Sequence, residues 1–268
     1  MELDRTVEEL VGDVMAYLRD TGALHSSHRK SRGEYDHSFA ELNAAKKIIT
    51  FSTSNAAVVD SQLEQLFVDL FEAAQEYVER TAQKETKRYS RSLPRVHDTV
   101  LTISCRRDRL RLQGYRELDG WLCERATSDS KWFDVKARLM VSTESARLNY
   151  IAEVCEKHFG SIISEIHSHH AGGHVGSTTT HTEQTVKSYT LAFQNRRALQ
   201  KNLANAAKTI IKDLHALDVR VSTWRVMESH VIQAVRLMER AAGNSVPQTL
   251  DAGTIQELFQ AQQNKLDE

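Results

Sequence analysis

Apolar residues recur every three or four positions along most of the chain, the period of helices with one buried face. Leu3, Val7, Leu10, Val11, Val14 and Leu18 form a first stripe, with Thr6 and Glu9 at capping-box spacing near its start. Residues 20–37 are polar and read as a loop. Phe39, Leu42, Ile48 and Ile49 predict a second helix, and Val59, Leu63, Leu66, Phe67, Leu70, Phe71 and Val78 a third. Pro94 marks a break. Residues 99–103 (TVLTI) are β-branched, but an isolated strand has no partner in this sequence. They read as a buried helix end or an extended connector. Leu110, Tyr115, Leu118 and Leu122 predict the next helix, and Trp132, Val135, Leu139 and Met140 another. A separate long helix is expected from about Ser142, carrying Leu148, Ile151, Cys155, Ile162 and Ile166.

The pattern then changes. Residues 167–182 are rich in His, Gly, Ser and Thr and hold almost no large apolar side chain, which reads as a linker. Helical spacing resumes with Val186, Tyr189, Phe193, Leu199, Leu203, Ile210 and Leu214. Trp224, Met227, Val231, Ala234, Met238 and Ala241 alternate steps of three and four, a heptad-like seam. Residues 243–247, from Gly243 to Pro247, end it, and Ile255, Leu258 and Phe259 predict a last short helix. The expected fold is all-α. Two helical-bundle domains, 1–166 and 183–268, are joined by the His/Gly-rich linker 167–182.

Composition narrows the class. Only two prolines in 268 residues, with 7% aromatics, argue against sandwiches and barrels. Three cysteines, an odd number, argue for a reducing compartment over a disulfide scaffold. No apolar run approaches the ~18 residues of a membrane span. The amphipathic, acidic N-terminus resembles neither a signal nor a transit peptide. Any membrane contact is therefore expected to be peripheral. Charge nearly cancels, with 35 basic and 36 acidic side chains, but it is segregated. Residues 1–79 carry net −8 and residues 80–111 net +7. Such a chain is an electrostatic dipole wherever the fold keeps the blocks apart.

Motifs of nucleotide, metalloprotease and serine-hydrolase chemistry are missing (no GxGxxG, HExxH or GxSxG), and no enzyme is expected. Two constellations stand out instead. Arg80, Lys84, Lys87, Arg88, Arg91 and Arg95 recur at helical spacing, and Arg106, Arg107, Arg109 and Arg111 form a denser cluster. They read either as a solvated face with local ion pairs or as a surface for phosphate, on RNA or on anionic lipid. Sparse aromatics (Tyr89, Tyr115) do not indicate base stacking. Secondly, Cys155, His158, His167 and His170 are spaced C-x2-H-x8-H-x2-H, two close pairs that can surround a zinc ion. His169, His174 and His181 offer alternatives, and a solvent-exposed His-rich linker that charges below pH ~6.5 is the other reading.

Several of these features, in order, resemble the matrix proteins of orthomyxoviruses, the influenza-like segmented RNA viruses. Residues 100–104 (VLTIS) before an Arg-rich helix resemble an apolar segment leading into such a helix in that family. Val141, Ser142, Thr143 and Glu144, then Cys155 and Glu156, resemble its V-T-T-E … C-E pattern. The Cys/His array resembles its C-x2-C-x7-H-x2-H. Thr178, Thr179 and Thr180 with His181 and Glu183 resemble its T-T-T … H-E stretch, and residues 231–236 (VIQAVR) its V-Q-A-M-R. Ala252 and Gly253 before a Leu-bearing helix resemble its terminus. The resemblance covers residues 95–268 and points to a distant, thogotovirus-like genus. A His replaces the second Cys of the array. The family's dense Arg/Lys motif has a thin counterpart in Lys131, Lys136 and Arg138, and the near-neutral total charge differs from the basic influenza A protein. The resemblance implies a non-enzymatic structural protein of the virion. Such a protein forms a homo-oligomeric polymer under the envelope and contacts the anionic inner leaflet, viral ribonucleoprotein or RNA, and envelope glycoprotein tails. It would be found in the virion, the host cytoplasm, the plasma membrane inner face and the nucleus. A cytosolic helical RNA-binding adaptor is the alternative.

Overall fold

The computed structural model describes residues 2–21, 42–54, 61–92, 99–122, 131–160, 163, 166, 193, 195–242 and 252–266. Every regular element among them is a helix. In chain order they are α1 (Glu2–Thr21), α2 (Asn43–Ser54), α3 (Ser61–Ser92), α4 (Thr99–Asp119), α5 (Lys131–Phe159), α6 (Arg196–Asp213), α7 (Leu217–Ala242) and α8 (Ala252–Gln263). The chain divides into two compact units, Met1–Ala146 and Arg147–Glu268, and the division falls inside α5. The linker expected at 167–182 lies outside the described residues.

In the first unit α3 is central, packed most extensively on α4 and also on α1 and α2. Its buried positions include Phe67, Leu70, Phe71, Ala74, Val78 and Ala82, a stripe at steps of three and four. Phe71 receives two tryptophans edge-on, Trp121 at 6.3 Å and Trp132 at 6.1 Å between ring centroids. That geometry sets the positive edge of one ring against the negative face of another. Leu110, Tyr115, Leu118 and Leu122 are all buried, as their spacing predicts.

Two local expectations change and one narrows. Helix α1 begins at Glu2, so Thr6 and Glu9 lie inside it and do not form a capping box at its start. Of the two readings of the TVLTI segment the helix end holds, as the start of α4. The stretches around Trp132 and from Ser142 are one uninterrupted helix. The Ser142–Thr143 pair does not break it, because the Thr143 hydroxyl donates back to the Leu139 carbonyl at 2.8 Å, within the helix.

The second unit holds the end of α5 with α6, α7 and α8. Helix α5 stops at Gly160, whose φ of +76° favours glycine and whose N–H closes on the Glu156 carbonyl at 3.0 Å. Asn195 caps α6, its side-chain oxygen accepting from the N–H groups of Arg197 at 3.0 Å and Ala198 at 3.3 Å. Of the seam on α7, Trp224, Met227, Val231 and Ala234 are buried, while the side chains of Met238 and Ala241 lie outside the described residues, and α8 contributes Ile255, Leu258 and Phe259.

Candidate functional site

The two basic segments of the sequence occupy α3 and α4, which the fold brings together. Arg111 of α4 donates to Glu79 of α3 through Nε at 2.8 Å and Nη2 at 2.5 Å, and to Asp108 through Nη1 at 3.1 Å. The Tyr115 hydroxyl donates to the other oxygen of Glu79. Asp108 is fully buried. Burial alone would lower the pKa of Arg111, but hydrogen bonds and Coulombic attraction from Glu79 and then Asp108 outweigh it and raise the pKa. Only residues 93–98 separate α3 from α4, and Glu79 faces both Arg111 and Tyr115. The two helices therefore fold back as an antiparallel hairpin. Lys84 and Lys87 follow Glu79, while Arg109, Arg107 and Arg106 precede Arg111, so all five lie toward the same end of the hairpin.

Not every cation of the two segments faces outward. Arg80 reaches α1, its Nη1 donating to the Arg19 carbonyl and its Nη2 to the Leu18 carbonyl, each at 3.0 Å. It caps the last turn of α1, where carbonyls lack helical partners. Arg80 and Arg111 are thus engaged inside the fold. Lys87 is exposed, while Lys84, Arg106, Arg107 and Arg109 are partly exposed. One Nη of Arg107 also lies 3.5 Å from Asp108. The side chains of Arg88 and Arg91, and Arg95 altogether, lie outside the described residues.

The acidic block is partly answered within the chain. Besides Glu79, Glu72 accepts from Arg138 at 2.7 Å, an exposed pair that contributes little to stability but offsets one charge of the block. Lys46, a cation within the same block, lies 3.9 Å from Glu117. Arg138, one member of the thin basic motif, is paired in this way, with Lys131 exposed and Lys136 half-buried on the same helix.

Of the candidate zinc ligands, Cys155 and His158 are described and His167 and His170 are not. Cys155 is a buried core residue whose thiol is pushed up to about 12 by desolvation. The ring Nε2 of His158 lies 2.9 Å from the Thr209 hydroxyl. That hydroxyl donates to the Asn205 carbonyl at 3.1 Å, so it accepts from Nε2–H. Burial lowers the His158 pKa, with Lys157 adding to the effect. Among the described residues, no three His, Cys, Asp or Glu side chains are grouped to hold a metal.

A further cationic feature lies in the second unit. Arg225, Arg236 and Arg240 line a groove of about 640 Å³ along α7, with Ile232 and Leu237 as apolar elements. Its signal in the sequence is the recurrence of Arg225, Ser229, Ile232, Arg236 and Arg240 at steps of three and four, on the opposite side of α7 from the buried seam. Among the described residues, no helix is long and apolar enough to cross a membrane. No protein-family model, characterised protein or solved structure matches the chain.

Proposed function

We propose that this protein is a matrix-type structural protein, similar to those of the influenza-like viruses, that polymerises beneath a viral envelope and bridges anionic lipid to ribonucleoprotein. The observation that carries the reading is the α3–α4 hairpin, which gathers Lys84, Lys87, Arg106, Arg107 and Arg109 toward one end. A local concentration of cations of this kind suits a phosphate-bearing surface, each contact contributing about 1 kcal/mol near anionic lipid. Exposed apolar side chains on α5, Phe133, Met140 and Val141, further support a protein that works against other surfaces. Acidification protonates the linker histidines and weakens acid–base contacts, so assembly is pH-sensitive.

The test is co-sedimentation and electron microscopy with vesicles containing phosphatidylserine, at neutral and acidic pH. The full chain should coat such vesicles at neutral pH and leave them in acid. The variant Arg106→Glu/Arg107→Glu/Arg109→Glu, with its helical circular dichroism intact, should lose about 3 kcal/mol of attraction, over roughly 100-fold in affinity. A triple variant that coats vesicles normally overturns the reading. So does a stable monomer that ignores vesicles and binds RNA in a salt-dependent way, the behaviour of an RNA adaptor.

A further inference from the structure

We propose that the arginine-lined groove on α7 is the docking site for helix α1 of a second copy of this chain. The proposal rests on the polymer reading above and identifies the contact that would build the polymer. A polymer held by opposite charges needs a cationic surface whose groups are not already engaged within the subunit. Arg111 and Arg80 of the basic block fail that requirement, being bonded to Glu79 and to α1. The groove meets it. Arg225 is attracted to Glu228, but no ion pair to Arg236 or Arg240 is seen among the described residues, and both are exposed.

Helix α1 supplies the complement. It carries six acidic and two basic side chains. Val11 and Leu18 are buried, and Arg80 fastens its C-terminal end to α3. The side turned away from them exposes Asp13 and Asp20 together with Leu10 (53% exposed) and Tyr17 (48%). Exposed Leu and Tyr beside carboxylates match Ile232 and Leu237 beside arginines in kind and in sign. The lengths are compatible. Arg225 to Arg240 spans about 22 Å of helix and Leu10 to Asp20 about 15 Å, at ~1.5 Å per residue. This is the helix-in-groove mode of recognition, with apolar anchors giving affinity and rim charges giving register.

The two surfaces differ, so each copy uses its α1 in one contact and its groove in another. Such a heterologous contact is free to propagate into an open filament or sheet.

Two charge-reversed full-length variants test this by sedimentation velocity at neutral pH and low salt. One is Arg236→Glu/Arg240→Glu, and the other Asp13→Lys/Asp20→Lys, each checked for unchanged helical content. Either alone should weaken self-association by roughly 30-fold or more, as attraction becomes repulsion at two positions. Mixed in equal amounts they should co-assemble, because each offers the other a contact of opposite sign. Both variants should still bind phosphatidylserine vesicles, since Arg106, Arg107 and Arg109 are intact. If each variant alone assembles like the parent, or if mixing fails to restore assembly, the docking is wrong. A parent that self-associates and coats vesicles, with both variants self-associating as strongly as it does, overturns this contact alone. A parent that neither self-associates nor coats vesicles overturns the polymer reading with it.

Discussion

Arg111 holds Glu79 of the neighbouring helix with two nitrogens on one carboxylate oxygen, and its remaining nitrogen reaches the fully buried Asp108. With Tyr115 on the other Glu79 oxygen, four polar side chains form one network between α3 and α4. The arrangement makes the hairpin specific in register, since a slip by one residue would part Glu79 from both Arg111 and Tyr115.

Truncating the cation should therefore cost more than an ordinary surface change. Arg111→Met takes the forked cation from two carboxylates, leaving Glu79 with Tyr115 and the water-excluded Asp108 with Arg107 at 3.5 Å. We expect about 3 kcal/mol of destabilisation in urea unfolding, at the low end for a buried pair because Arg111 and Glu79 keep some solvent contact. Arg111→Lys, which keeps the charge but loses the fork, should recover part of it. A loss under about 0.5 kcal/mol for the methionine variant would contradict the network's importance.

Arg80 should behave as a structural residue and not as a lipid ligand. Its guanidinium bridges two carbonyls in the last turn of α1, a geometry a lysine ammonium does not reproduce. Both Arg80→Lys and Arg80→Met should lower stability by about 1–2 kcal/mol and speed amide exchange in the final turn of α1. Vesicle affinity per folded molecule should stay unchanged. A selective loss of vesicle binding, with α1 protection intact, would place Arg80 on the outer surface.

The two cases show what the linear pattern reveals and what it hides. Burial at Leu110, Tyr115, Leu118 and Leu122, and along the Trp224 to Ala234 seam, follows from spacing, because a stripe at steps of three and four must face a core. The boundaries were less legible. Thr6 and Glu9 have the spacing of a cap, yet helix propensity carries α1 back to Glu2. Met140 continues an apolar pattern but is 61% exposed, since it sits one step past the face that Leu139 buries. The pairing of Glu79 with Arg111 was invisible for a different reason: it depends on hairpin geometry, which no local spacing encodes. The basic block was legible as charge, but which of its members point inward was not.

Anchoring of α8 onto α7 should depend on one aromatic pair. Trp224 and Phe259 are both fully buried with ring centroids 4.9 Å apart, and the indole N–H donates to the Phe259 carbonyl at 3.3 Å. Phe259→Ala removes the ring and leaves a cavity, at an expected cost of about 3–5 kcal/mol. Trp224 fluorescence should shift to the red as water enters. Trp224→Phe, which mainly loses the indole N–H, should cost less. Equal costs for the two would mean that the Phe259 ring is not the dominant anchor of α8.

The last prediction concerns acid. His158 has its pKa lowered by burial and then by Lys157, and it donates through Nε2 to Thr209, so Nδ1 is the nitrogen that takes up a proton. The folded state thus disfavours the imidazolium, while the unfolded chain titrates near ~6.5. A depressed folded pKa means that the stabilising contribution is complete above the unfolded value. It is lost as pH falls toward the folded value, because the unfolded state gains its proton first. Thermal unfolding followed from pH 7.5 to 5 should show the Tm of the parent falling more steeply below pH ~6.5 than that of His158→Gln, whose glutamine can still donate to Thr209. Other histidines contribute equally to both proteins and cancel in the difference. Parallel curves would mean that His158 carries none of the acid sensitivity. A parent curve shallower than that of the variant would mean that its pKa is raised in the folded state, with the sign of the argument reversed.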